Sequence, residues 1–142
     1  MKYLLDTDHI SFLQRKSGRE FACLVARIGQ HSPDDFALSI ISFHEQVLGA
    51  HTVINRAKGN NDTLRGYTLL SEILKGFRMA PVLDFDAEAI AIFEQLRRQK
   101  VRIATMDLRI ASIAISRNFT VLTRNVRDFS NVPNLVTEDW TI

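Results

Sequence analysis

Apolar residues in this chain fall into two alternating kinds of segment. Short, mostly apolar runs at Tyr3–Leu5, Phe36–Ile41, Met79–Phe85 and Phe119–Thr123 read as strands buried on both faces, as in a parallel sheet. Between them, apolar residues recur every three or four positions, the spacing of a helix with one buried face. Asp8 is placed to cap a helix through Ile10, Phe12 and Leu13 that stops near Gly18. A second helix covers Arg19–Ile28, with Phe21, Leu24, Val25 and Ile28 on one side and Gly29 after it. Ser32, Pro33 and Asp34 form a turn. Ser42 opens a helix in which Glu45 stands three residues on, the spacing of a capping box. Asn55–Gly66 is polar and reads as a loop leading into a helix over Thr63–Phe77. Pro81 pushes the third strand toward a sheet edge. Asp86 caps the next helix, which explains it and Asp84 better than a metal pair would. Lys100–Thr105 is extended, and Thr105 caps a helix with Asp107 in its first turn and Ile110, Ile113 and Ala114 buried. Asn118 suits the left-handed turn before the fourth strand. Leu135–Thr137 makes a last short strand, and Trp140 packs the end.

Strands alternating with helices imply an α/β domain around a mostly parallel sheet. The length of 142 residues implies a single domain, 1–142, large enough for a core. Net charge is +2 with a pI near 8.9, mildly basic, which permits a polyanionic partner. The single cysteine, Cys23, excludes an internal disulfide or a multi-cysteine zinc site, and its helical pattern places it in the core. No apolar run approaches the ~20 residues of a membrane span, and no signal peptide is visible, so a cytoplasmic location without membrane contact is expected.

The candidate chemistry lies in acids far apart in sequence. Asp6 ends the first strand, at the edge where open α/β sheets hold their ligands. Glu45 follows the second strand, Asp107 opens a helix, and Asp128 follows the fourth strand. Each has an ordinary explanation: a helix cap for Glu45, a dipole partner for Asp107, a turn cap for Asp128. Convergence on one edge is not explained that way. Crowded carboxylates repel and raise one another's pKa unless a cation sits among them. Oxygen ligands without cysteine or paired histidine suit Mg²⁺, or Mn²⁺. His44 reads as an exposed or capping residue rather than a ligand.

Four segments, LLDTDHI at Leu4–Ile10, SIISFHEQVLGA at Ser39–Ala50, ATMDLRIASIA at Ala104–Ala114 and VLTRNVRDFSNVPNLVTEDW at Val121–Trp140, resemble PIN-domain ribonucleases, specifically VapC-type toxins of bacterial toxin–antitoxin pairs. The resemblance implies a three-layer α/β/α fold and Mg²⁺-dependent cleavage of RNA by water, leaving a 5′-phosphate and a 3′-hydroxyl. It also implies inhibition by a cognate antitoxin and a homodimer. Asp6, Glu45 and Asp107 match the family's three acids and metal ligands. Either Asn125 or Asp128 completes the fourth position. Family members often carry Asn where this chain has Asp8. Thr7 and Thr123 are placed to contact phosphate, and Arg109, Arg124 and Arg127 to bind RNA, with Arg97, Arg98, Lys100 and Arg102 as further candidates.

A rival reading takes LLDTD as the D-x-D strand end of a haloacid-dehalogenase-type phosphotransferase, with Asp6 as nucleophile. The chain lacks the small residues that follow that motif. A PIN domain that only binds RNA or protein is a second rival, opposed by the intact acids. The helices flanking Asn55–Gly66 carry Val47, Val53, Ile54, Leu64, Tyr67 and Leu70, more apolar surface than one sheet face needs, which marks an interface.

Overall fold

The computed structural model describes residues 2–142. Five strands form one all-parallel sheet in the order β3-β2-β1-β4-β5: β1 Tyr3–Leu5, β2 Phe36–Ser39, β3 Val82–Leu83, β4 Thr120–Leu122 and β5 Thr137–Glu138. The helices are α1 Thr7–Arg15, α2 Arg19–Ile28, α3 Ile40–Asn55, α4 Asn60–Gly76, α5 Ala87–Arg98, α6 Thr105–Arg117 and the short α7 Val126–Phe129. Because side chains alternate along a strand, the sheet feeds two cores. Leu4, Ala37 and Val121 point to one face, packed with Phe93 and Leu96 of α5 and Ile110 and Ile113 of α6. Tyr3, Leu5, Phe36, Leu38 and Leu122 point to the other, packed with α1, Leu24 of α2, Ile73 of α4 and Trp140. This is the expected three-layer α/β/α arrangement.

The chain winds outward from β1 to β2 and β3, then returns across the sheet to β4 and β5. The winding direction therefore switches between β1 and β4, whose pairing brings the ends of Leu5 and Leu122 together. Such a switch point opens a crevice at the carboxyl ends of the strands.

Several local expectations are corrected. Asp6, not Asp8, is the N-cap of α1, which begins at Thr7 and ends at Arg15, with Lys16 in the left-handed region. The second strand ends at Ser39, because Ser39 Oγ accepts the Ser42 amide and starts α3 at Ile40. Ile40 and Ile41 extend the apolar run but belong to the helix. Thr105 is the first residue of α6 rather than its cap, a place held by Ala104 without a side-chain bond. The Asn55–Gly66 loop shrinks to Arg56–Gly59, and Gly66 lies inside α4. There a Cβ would meet Ile54 Cγ1 at 2.5 Å, so glycine allows α3 and α4 to pack closely. The third strand is only Val82–Leu83, the fourth Thr120–Leu122 and the last Thr137–Glu138. Cys23 is half-buried rather than core, and Val25 is exposed. Helix α2 at Arg19–Ile28, the Asp86 cap, the edge position of β3, the left-handed Asn118 and buried Trp140 stand as expected.

Candidate active site

Asp6 stands where β1 and β4 end together. Its amide donates to the Leu122 carbonyl at 2.9 Å, continuing the strand pairing one residue further. Its side chain then turns to begin α1: Oδ1 accepts the Thr7 amide at 2.8 Å, and Oδ2 accepts the Thr123 hydroxyl at 2.8 Å. The residue is 5% exposed. Burial, followed by the charge of Asp8 and, more weakly, that of Asp107, pushes its pKa up to about 7 against the pull of the two hydrogen bonds.

Glu45 reaches the same edge from α3. With Ser39 as the cap, Ser42 lies within the helix and Glu45 has no capping bond to its backbone, so the capping-box explanation falls. Instead Glu45 Oε1 is 3.0 Å from the Thr7 hydroxyl, which also lies 2.9 Å from Ser42 Oγ. Asp107 arrives from the first turn of α6, half-buried, and its Oδ2 accepts from Asn125 Nδ2 at 3.4 Å. Burial raises its pKa to about 6, helped by the charges of Glu45, Asp128 and Asp8 and opposed by Asn125. Both candidates for the fourth position are thus near Asp107: Asn125 through a hydrogen bond, and exposed Asp128 through its charge. The acids are near enough to act on one another. Among the described residues, however, no three acidic, histidine or cysteine side chains close around a single point.

Thr123 links these groups. Fully buried, it donates to Asp6 and accepts the Asn125 amide at 2.9 Å. Asp8, read from sequence as a helix cap, is a fifth carboxylate of the site. Its Oδ2 accepts the Arg124 amide at 2.9 Å and lies 3.4 Å from Thr123 Oγ1. The signal was present as an acid two positions after Asp6 at a helix start.

The arginines divide. Arg124 is exposed, with its amide at the site and its guanidinium over the Phe12 ring, 5.4 Å from the centroid. Arg15, which sequence reasoning passed over, lies 5.0 Å from the same ring. Arg127 is exposed on α7. Arg109 packs toward α5, with its guanidinium 5.7 Å from the Phe93 centroid and Nη1 3.5 Å from Met106 Sδ. Among the described residues none of these four forms an ion pair with an acid of the site.

Comparison with known proteins follows the same lines. The model of the PIN domain matches residues 3–135. Ribonuclease VapC1 of Haemophilus influenzae (strain R2866) is 29% identical over 147 aligned positions, covering 99% of each chain. Two further relatives match over shorter stretches. Ribonuclease VapC2 of Rickettsia felis is 36% identical over 42% of this chain and 47% of that protein. The tRNA(fMet)-specific endonuclease VapC of Shigella flexneri is 36% identical over 49% of this chain and 56% of that protein. Among solved structures, VapBC-1 from nontypeable Haemophilus influenzae superposes with a TM-score of 0.78 at 26% identity, covering 100% of both chains. A five-stranded parallel sheet with acids gathered at its switch point, and a family match over almost all of the sequence, place this chain in the PIN-domain family.

Proposed function

We propose that this protein, a single PIN domain over residues 1–142, is a Mg²⁺-dependent endoribonuclease and the toxin of a bacterial toxin–antitoxin pair, working in the cytoplasm. The observation that carries the reading is the gathering of Asp6, Asp8, Glu45, Asp107 and Asp128 at one sheet edge. There burial and mutual repulsion raise Asp6 to about 7 and Asp107 to about 6. Oxygen donors that destabilise one another fit a hard divalent cation, Mg²⁺ or Mn²⁺, whose charge would offset their repulsion. Asp6, Asp107 and Glu45 would hold it. When bound, such an ion supplies Lewis-acid polarisation of the scissile phosphate and activation of a water for attack.

The remaining roles belong to the chain itself. Thr123 and Asn125 orient Asp6 and Asp107, as partners of ligating groups do. The part-buried Thr7 hydroxyl beside Glu45 is the proposed phosphate contact, whereas Thr123, expected from sequence in the same role, is fully buried with its hydroxyl engaged by Asp6 and the Asn125 amide and serves to orient them. Arg124, Arg127 and Arg109, with Arg15 added, are the proposed contacts to the RNA backbone. In-line attack of water leaves a 5′-phosphate and a 3′-hydroxyl.

The likeness to VapBC structures supports a cognate antitoxin as partner. Of the six apolar residues expected at an interface, Leu64 and Tyr67 are exposed; Leu48, Leu69, Leu74 and Met79, on or after the same helices, are exposed too. Phe43, Tyr67, Leu70, Ser71 and Leu74 line a cleft of about 350 Å³. This face is the proposed seat of the homodimer contact and of an apolar antitoxin segment. One basic residue of the antitoxin entering the acidic cleft would displace the cation and block the scissile phosphate together.

The test is cleavage of purified RNA, with transfer RNA tried first because some relatives bear that name. Cleavage in Mg²⁺ that stops with chelator and leaves 5′-phosphate ends is the expected result. RNA that stays intact in both Mg²⁺ and Mn²⁺ would overturn the reading.

A further inference from the structure

Of the four histidines, His9 has no exposed surface, and both of its ring nitrogens are engaged. Nε2 accepts the Trp140 amide N–H at 3.2 Å, so the ring hydrogen lies on Nδ1 and is donated to Asp8 Oδ1 at 2.7 Å. The second Asp8 oxygen accepts the Arg124 amide N–H at 2.9 Å. Asp8 therefore faces two N–H donors, and only a side chain with two acceptor oxygens satisfies both. Asparagine would turn its amino group on one of them. The imidazole could not adapt by moving its hydrogen to Nε2, because Nε2–H would then confront the Trp140 N–H. Asp139 Oδ1, 3.8 Å from Nε2, already accepts from the Thr141 amide and hydroxyl at 2.8 and 2.6 Å.

The Arg124 amide belongs to the turn after β4. In that turn Thr123 Oγ1 donates to Asp6 and accepts from the Asn125 amide, and Asn125 Nδ2 donates to Asp107. We propose that His9 is a positioning residue of the acidic site: through Asp8 it holds the Thr123–Asn125 turn that orients Asp6 and Asp107, and through Trp140 it ties that turn to the C-terminal segment. Among the described residues, the His9 side chain forms no hydrogen bond or ion pair with Asp6, Glu45 or Asp107. Its consequence for catalysis rests on the nuclease reading; its hold on the turn does not.

Two substitutions divide the imidazole. His9→Asn keeps a donor near the place of Nδ1 and gives up the acceptor for Trp140. His9→Gln keeps an acceptor near the place of Nε2 and gives up the donor to Asp8. In the metal-free protein, His9→Gln is expected to move the Arg124 and Asn125 backbone amide resonances, while His9→Asn leaves them near their wild-type positions and lowers the melting temperature. With RNA and Mg²⁺, His9→Gln should lower kcat and the calorimetric affinity for Mg²⁺ by about 10- to 100-fold, the usual cost of losing an outer partner of a metal site, with KM little changed. His9→Asn should stay within a few-fold of wild type, and Asp8→Asn should reproduce the His9→Gln effects. Unmoved Arg124 and Asn125 resonances in His9→Gln, or equal loss in the two His9 variants, would overturn the proposal. Should His9→Gln not fold, Asp8→Asn at its partly exposed position decides: unchanged resonances and Mg²⁺ affinity reject the positioning role. If the wild type neither binds Mg²⁺ nor cuts RNA, the nuclease reading fails, while the resonances still judge the role of His9.

Discussion

Asp6 is asked to be buried and charged at once, and its surroundings show the cost. With a folded pKa near 7, against about 3.9 in an unfolded chain, its proton is held more tightly by the native state. Well below pH 4 both states are protonated and Asp6 does not make stability depend on pH. As pH rises toward 7, the unfolded chain releases the proton and the folded one keeps it, so stability falls and then levels off above 7. Metal-free protein should therefore be more stable at pH 5.5 than at pH 8, by about 2 kcal/mol from Asp6. Asp107 contributes in the same direction. Thermal melts in chelator at the two pH values check this, and equal melting temperatures would contradict it. Glu45 gives a second test. With no capping bond to lose, Glu45→Gln keeps an acceptor for the Thr7 hydroxyl at 3.0 Å, so its melting temperature should barely move. RNA cleavage should fall by at least tenfold if the charge at this position serves the reaction, and unchanged turnover would remove Glu45 from the proposed chemistry. Asp6, Glu45 and Asp107 were legible from sequence because each follows a strand or opens a helix. Asp8 and His9 were not, because their meaning lies in the Arg124 and Trp140 amides more than a hundred residues away, which no local pattern reports.

At the scale of elements, the position of a helix start decides where a carboxylate points. The run Phe36–Ile41 is apolar throughout, and short apolar runs do not tell strand from buried helix. Ser39 breaks the tie: its hydroxyl, 3.0 Å from the Ser42 amide, ends β2 and begins α3. Moving that start from Ser42 to Ile40 turns Glu45 from a capping residue into one that faces Thr7. Ser39→Ala should cost about 1 kcal/mol or more as a lost N-cap, whereas a Ser42 cap would leave the Ser39 variant near wild type; chemical denaturation distinguishes them. The same competition explains α1. Asp6 and Asp8 are both good caps, and Asp6 prevails because its amide is already fixed to Leu122. Helices α2 and α5 were legible because Gly29 and Asp86 mark their ends without a rival. The boundary of α4 was not, because Gly66 resembles a loop residue and is instead a packing residue against Ile54.

Across the whole molecule, the sheet order makes the site. Alternating segments in the sequence imply a parallel sheet, but not that β1 lies between β2 and β4, which is what brings Asp6, Glu45, Asp107 and the Thr123–Asn125 turn to one edge. No helix among the described residues is long and apolar enough to cross a membrane. The exposed apolar face of α3 and α4 is the proposed seat of self-association. Tyr67→Glu should shift the mass measured by light scattering toward the monomer while leaving RNA cleavage by the monomer intact. An unchanged mass would place the contact elsewhere.

On the proposed function, Asp6 serves a cation and an RNA phosphate and burdens the fold otherwise. The most direct measurement is RNA cleavage in Mg²⁺ by Asp6→Asn, paired with the melting temperature of the same variant in chelator at pH 8. Cleavage should be abolished and the metal-free melting temperature should rise, because a buried charge and its repulsion with Asp8 and Asp107 are removed. Full cleavage by Asp6→Asn would contradict the account.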